Sequence, residues 1–152
     1  MSDPDFRSLL AGHTFLRGLN DRQIDALATL GRVSSFSAGS MLGREGEAAD
    51  AFFLIQSGRV ALEIHAPDRG LVCIQTVGPG DPVGWSWLVP PHRWQFDARS
   101  VEPVTAIAMD GASLRDRCEK DHEFGYQLLK RLVTVIASRL SATRLQLLDI
   151  YK

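Results

Sequence analysis

Three tryptophans fall within one short stretch, residues 83–100, as Trp85, Trp87 and Trp94. The same stretch carries Gly84, Ser86, Pro90, Pro91, His92, Arg93, Gln95, Phe96 and Arg99. Flat indole rings stack on planar ligands, and a guanidinium fork pairs with a phosphate or carboxylate. The competing reading is packing. Large aromatics in a turn plug a hollow and pin the loop to the body of the protein. Arg93 or Arg99 then forms an ion pair, for example with Asp97 or Glu102. His92, after two prolines, reads as an exposed loop residue.

Other chemistries find little support. The four histidines, His13, His65, His92 and His122, are scattered, with no pair two residues apart on a strand. A metal-dependent, cupin-like barrel enzyme needs such a pair plus a carboxylate, so it stands only as an alternative, and no metal site is expected. Cys73 and Cys118 form no CxxC motif, and reduced thiols of a cytosolic protein are expected. Ser86 has no G-x-S-x-G context. With no acid/base pair in view, the chain reads as non-enzymatic and without a resident cofactor.

The elements that position this stretch follow from periodicity. A short helix over 5–11 turns at Gly12. A second begins at an Asn20 or Asp21 cap, carries Ile24, Leu27 and Leu30 on one face, and is expected to end at Gly31. From Val33 the pattern becomes β. Strands are expected over 51–56, 59–65 and 71–77, joined as hairpins, then over 96–101 and 104–109, with a tight corner at 78–82. Short strands at this density give a small antiparallel barrel or jelly roll. A short helix begins at Asp110 or Ser113. Asp121 caps a long helix that runs to the end. A single domain results, with N-terminal helices over 1–32, a β-barrel over 33–109 and C-terminal helices over 110–152.

The long helix carries an apolar seam at Tyr126, Leu129, Val133, Ile136, Leu140, Thr143, Leu147 and Ile150, spaced three and four alternately. A second stripe holds Phe124, Leu128, Leu132 and Val135. One stripe can pack on the barrel and the other on a second copy, so a helix-to-helix homodimer is expected. Thr143 would set register or touch a ligand.

The chain has 152 residues, 45% hydrophobic and 23% charged, with net charge −1. That suits one soluble domain and counts against a strongly basic nucleic-acid-binding surface. No signal peptide and no apolar run of about 20 residues is present, so a cytoplasmic location is expected.

Phe36 and Gly39, then Glu45 and Gly46, then Phe53, Gly58 and Val60, then Val77, Gly78, Gly80 and Asp81, then Val83 and Gly84, resemble the cyclic nucleotide-binding domain of the catabolite-activator and Fnr superfamily. The resemblance spans about residues 13–151. It implies an eight-strand antiparallel jelly-roll barrel, with N-terminal helices and a long C-terminal helix. It also makes residues 83–100 the phosphate-binding cassette. In the family that cassette has a glycine, a glutamate for the ribose hydroxyl, a short helix whose amides face the phosphate, and an arginine that pairs with it. Gly84 matches the glycine. Trp85 stands in place of the glutamate, Gln95 near the arginine position, and Arg93 slightly before it. An aromatic after the glycine is closer to Fnr-type branches, yet residues 1–32 hold no cysteine for an iron–sulfur cluster.

The resemblance implies a regulatory or sensor domain. Its altered cassette counts against cyclic AMP or cyclic GMP, leaving either a different small ligand or none, with signalling through a homodimer or a partner protein. The alternative is a true cyclic nucleotide-binding protein, with Arg93 on the phosphate and tryptophans stacked on the base. Candidate ligand-binding residues are Gly84, Trp85, Ser86, Trp87, Arg93, Trp94, Gln95, Arg99 and Thr143. The family's transcription factors continue into a helix-turn-helix domain. This sequence stops at Lys152, so direct DNA binding is not expected.

Overall fold

A capping box starts the helix that the Asn20 signal predicts. Asn20 Oδ1 accepts from the Gln23 amide at 2.8 Å, and Gln23 Oε1 accepts from the Asn20 amide at 3.0 Å. The computed structural model describes the backbone of residues 4–150 and the side chains of residues 5–149. Helix α1 is Pro4–Gly12, and α2 is Asp21–Ala28. Arg7 ties the two through Asp25 at 2.6 Å and Asp21 at 3.1 Å. The second helix closes at Ala28, three residues before the expected stop at Gly31. Thr29 bonds the Ala26 carbonyl through its hydroxyl, and the Leu30 amide takes the Leu27 carbonyl, so the last turn is already satisfied. Gly31 instead opens the first strand, where a Cβ would meet the Phe6 ring at 3.2 Å.

Eight strands follow: β1 (Gly31–Phe36), β2 (Met41–Gly43), β3 (Ala51–Ser57), β4 (Val60–Ala66), β5 (Gly70–Val77), β6 (Pro82–Val83), β7 (Asp97–Ser100) and β8 (Val104–Asp110). They form two four-stranded antiparallel sheets, ordered β1-β8-β3-β6 and β2-β7-β4-β5. The expected jelly roll is therefore the fold. Strand β6 lies where the sequence reads as a corner. Proline is tolerated there because β6 is a sheet edge.

Strand β3 is a continuous apolar run because both of its faces are covered. Phe52 and Leu54 pack against the helices, while Phe53 and Ile55 face the barrel interior. Strand β4 alternates instead. Val60, Leu62 and Ile64 join the barrel core, and Glu63 and His65 stand on the opposite face.

Helix α3 (Gly111–Lys120) starts at Asp110, whose Oδ2 accepts from the Ser113 amide and hydroxyl at 2.9 and 2.6 Å. Helix α4 (His122–Ile150) follows, with Asp121 Oδ1 accepting from the Phe124 amide. Its two stripes separate as the spacing predicts. Phe124, Leu128 and Leu132 are buried with Val135 against them, while Tyr126, Leu129, Val133, Leu140 and Leu147 are exposed. Ile136 and Thr143 are half-buried. The Ile150 side chain lies outside the described residues. Among the described residues no helix is long and apolar enough to cross a membrane.

His13 fastens the N-terminal helices to the barrel. It is buried, its Nδ1 accepts from the Phe15 amide at 3.2 Å, and its Nε2 bonds the Ile55 carbonyl at 2.9 Å. That pattern puts the ring proton on Nε2. Burial lowers its pKa from the ordinary 6.5, against the opposing pull of the Ile55 carbonyl. An unfolded chain therefore takes up this proton more readily than the folded one. The His13 contribution is complete above about 6.5 and is lost as pH falls below it. Urea titrations from pH 7.5 to 5 should show stability declining through this range, with a shallower decline in His13→Gln. Equal slopes in both proteins would contradict this role.

Candidate functional site

The cassette leaves β6 through Gly84, which is buried with φ 86°, in the left-handed region that suits glycine. Two successive turns follow. The Leu88 amide bonds the Trp85 carbonyl at 3.1 Å, and the Val89 amide bonds the Ser86 carbonyl at 3.3 Å. A third turn closes from the His92 amide to the Val89 carbonyl at 2.9 Å. Thus turns stand where the resemblance implies a short helix, and no helical N-terminus is presented to an anion. His92 is half-buried with φ 58°, unlike the exposed loop residue its setting suggests.

Residues 92–94 are then stitched to residues 46–49. The Ala49 amide bonds the His92 carbonyl at 2.8 Å, the Trp94 amide bonds the Glu47 carbonyl at 2.9 Å, and the Gly46 amide bonds the Trp94 carbonyl at 2.9 Å. These bonds fix where the Trp94 ring goes. It enters the barrel, 4% exposed, against Phe96 at 5.9 Å and Phe53 at 6.4 Å between ring centroids. Two glycines make its berth. A Cβ on Gly43 would overlap the indole, and one on Gly84 would stand 2.8 Å from Cη2.

The other tryptophans go elsewhere. Trp87 is fully buried on the helical side, 5.6 Å from the Phe52 ring, and its carbonyl accepts from Arg115. Half-buried Trp85 bridges the two cores, 5.2 Å from Phe96 and 5.8 Å from the Arg139 guanidinium. Ser86 is buried.

The cassette cations are engaged outside the barrel. Arg93 Nη1 donates to the Gly46 carbonyl at 2.9 Å, and its carbonyl accepts from exposed Gln95 at 3.0 Å. Arg99 makes a two-pronged pair with Glu63, both bonds 3.0 Å. That pair lies on the face of β4 and β7 opposite the barrel core; neighbouring His65 and Asp97 approach to 3.3 Å. Thr143 donates to its own helix at the Arg139 carbonyl. Gly84, Trp85, Trp94 and Phe96 therefore come together. Arg93, Arg99 and Thr143 do not join them around a shared space.

Between the cassette and α4, the space lined by Phe52, Gly84, Trp85, Leu132 and Arg139 has no room for a water molecule. A separate apolar groove of about 320 Å³ opens between Trp87, Leu88, Cys118, Tyr126 and Leu129. Burial pushes the Cys118 thiol up to about 11, above the ordinary thiol range. Among the described residues no group of His, Cys, Asp and Glu is placed to hold a metal. Arg139 is the residue the sequence reading missed. Its signal was a charge falling four residues after Val135 in the apolar stripe.

If the glycines make the berth for Trp94, Gly43→Ala should destabilise the fold by about 1–3 kcal/mol through overpacking. Pairing it with Trp94→Leu should cost less than the sum of the two single changes. Additive losses in a thermal-melt cycle would contradict the assignment.

The family model for the cyclic nucleotide-binding domain matches residues 33–121. A CRP-like cAMP-activated global transcriptional regulator from Mycobacterium tuberculosis is 30% identical over 142 residues, covering 93% of this chain. The chain spans only 62% of that regulator's length. A solved Geobacter metallireducens structure, assigned to cyclic nucleotide binding, is 29% identical with a TM-score of 0.77, covering 92% of this chain and 99% of its own. A cyclic nucleotide-binding domain from Methylobacillus flagellatus shares the fold at 16% identity, with a TM-score of 0.84 over 97% of this chain and 85% of its own. A buried glycine opening a cassette between the two barrel sheets and a closing long helix thus has a family: this chain belongs to the cyclic nucleotide-binding domains.

Proposed function

We propose that this chain is a non-catalytic regulatory domain whose barrel is occupied by its own tryptophan. In this reading it acts through contacts of α4 and does not hold cyclic AMP or cyclic GMP. One observation carries the reading: Trp94 lies inside the barrel between Gly43 and Gly84, fixed by the backbone bonds of residues 92–94. Two further facts support it. Trp85, which cannot accept hydrogen bonds from a ribose, follows the cassette glycine. Arg93 and Arg99 are committed to Gly46 and Glu63. No cofactor and no direct DNA contact enter the reading. It belongs in the cytoplasm, where the free thiols Cys73 and Cys118 stay reduced.

A second reading has one point in its favour: the 30% identical Mycobacterium tuberculosis regulator is cAMP-activated. Here it would require Trp94 to leave the barrel and Arg93 to release the Gly46 carbonyl. Calorimetric titration with cyclic AMP and cyclic GMP separates the two. The first reading predicts no heat of binding up to millimolar nucleotide. Micromolar binding that Arg93→Ala abolishes would establish the second.

The output surface in this reading is the exposed stripe Tyr126, Leu129, Val133, Leu140 and Leu147. Its three-and-four spacing fits a second copy of the same helix, giving a homodimer. Sedimentation should find a dimer that Leu140→Asp converts to a folded monomer. A wild-type monomer at high micromolar concentration would contradict self-association and direct attention to a partner protein on the same stripe.

A further inference from the structure

The groove of about 320 Å³ beside α4 opens at the start of the exposed stripe. Tyr126 and Leu129 belong to both: they line the groove, and they are the first two members of the stripe. Gly125 gives the groove its depth. A Cβ there would stand 3.1 Å from the Cys118 carbonyl oxygen and 3.2 Å from its Cβ. The glycine therefore lets α4 close on α3 and leaves a hollow where a side chain would be. His122, Gly125, Tyr126 and Leu129 frame that hollow along one helix, as the hole that a knob from a facing helix enters. Trp87, Leu88 and Cys118 make its inner wall apolar, while Glu119 and His122 make its rim polar.

A knob stands next to this hole. Tyr126 is 56% exposed, and Lys130 Nζ lies 5.2 Å from the centroid of its ring. A projecting ring beside a hollow, on one patch, is self-complementary about a two-fold axis. In a parallel helix pair a seam residue enters the hole next to its own counterpart. Tyrosine suits the hole, since its apolar body meets the inner wall and its hydroxyl meets the rim. Charge agrees as well. Lys130 follows Tyr126 along the same edge, and exposed Glu119 waits on the rim. Opposite charges flanking a seam set the orientation of its helices. An antiparallel pair would offer the hole a leucine, with nothing for the polar rim, and would carry Lys130 away from Glu119.

We infer that the groove between α3 and α4 is completed by Tyr126 of a second copy, in a parallel pair that also sets Lys130 of that copy on Glu119. This rests on the exposed stripe of α4 being the output surface, and it names the anchor residue and the site that receives it.

Sedimentation of the full chain, without nucleotide, tests the placement. The wild type should dimerise, and Tyr126→Ala should weaken the dimer by about thirtyfold, as loss of a buried aromatic anchor does. Lys130→Glu and Glu119→Lys should each weaken it by about tenfold, because both copies of the ion pair become repulsions. Mixed one to one, those two variants should regain association close to that of the wild type, since each pair is then restored across the interface. The three side chains are exposed in the single chain, so the substitutions leave its fold in place. A wild-type dimer that Tyr126→Ala leaves equally tight, or a mixture no tighter than its components, would overturn this placement and leave the homodimer standing. A wild-type monomer would overturn both, with the groove then open to a partner protein.

Discussion

The placement of one indole ring decides how the barrel of this domain is filled. Trp94 is drawn into the barrel by the apolar surface it buries there, and it is kept there by backbone pairing of residues 92–94 with residues 46–49. Gly43 and Gly84 yield the volume it needs. The barrel interior is consequently a packed core, closed by Phe53, Phe96 and Trp94. With that space filled, the cassette arginines face outward to protein partners. The family fold is retained, and in the function we propose the cassette serves packing.

The function we propose places the output on α4. The helix is tied to the rest of the chain along Phe124, Leu128 and Leu132, and it exposes a second apolar stripe. The same helix packs inward with one stripe and presents a surface with the other. On the inner side Arg139 donates to the Pro82 carbonyl and lies over the Trp85 ring.

Much of the fold was legible because period and punctuation agree. The Asn20 and Asp110 caps, the alternation of β4 and the two stripes of α4 each follow from local spacing. The misses have equally local causes. The second helix stops early because Thr29 satisfies its last carbonyls, a bond that spacing does not report. Strand β6 is two residues long, too short to carry a pattern. The cassette was legible as a place, through Gly84 and its aromatics, and much less as a geometry. Which tryptophan enters the barrel depends on Gly43, forty-one residues before Gly84 in the sequence and adjacent to the same ring. The Glu63 partner of Arg99 likewise comes from another strand, where only the register brings the two together. Arg139 was visible as a charge in an apolar stripe, but its meaning needed Pro82 and Trp85 beside it.

In the function we propose, Trp94 stays in the barrel when a cyclic nucleotide is offered. The direct measurement is the nuclear magnetic resonance signal of the Trp94 indole N–H and the Gly84 amide, followed as cyclic AMP is added to large excess. Neither signal should move. A saturable shift of both together, matching release of the ring from between Gly43 and Gly84, would contradict it.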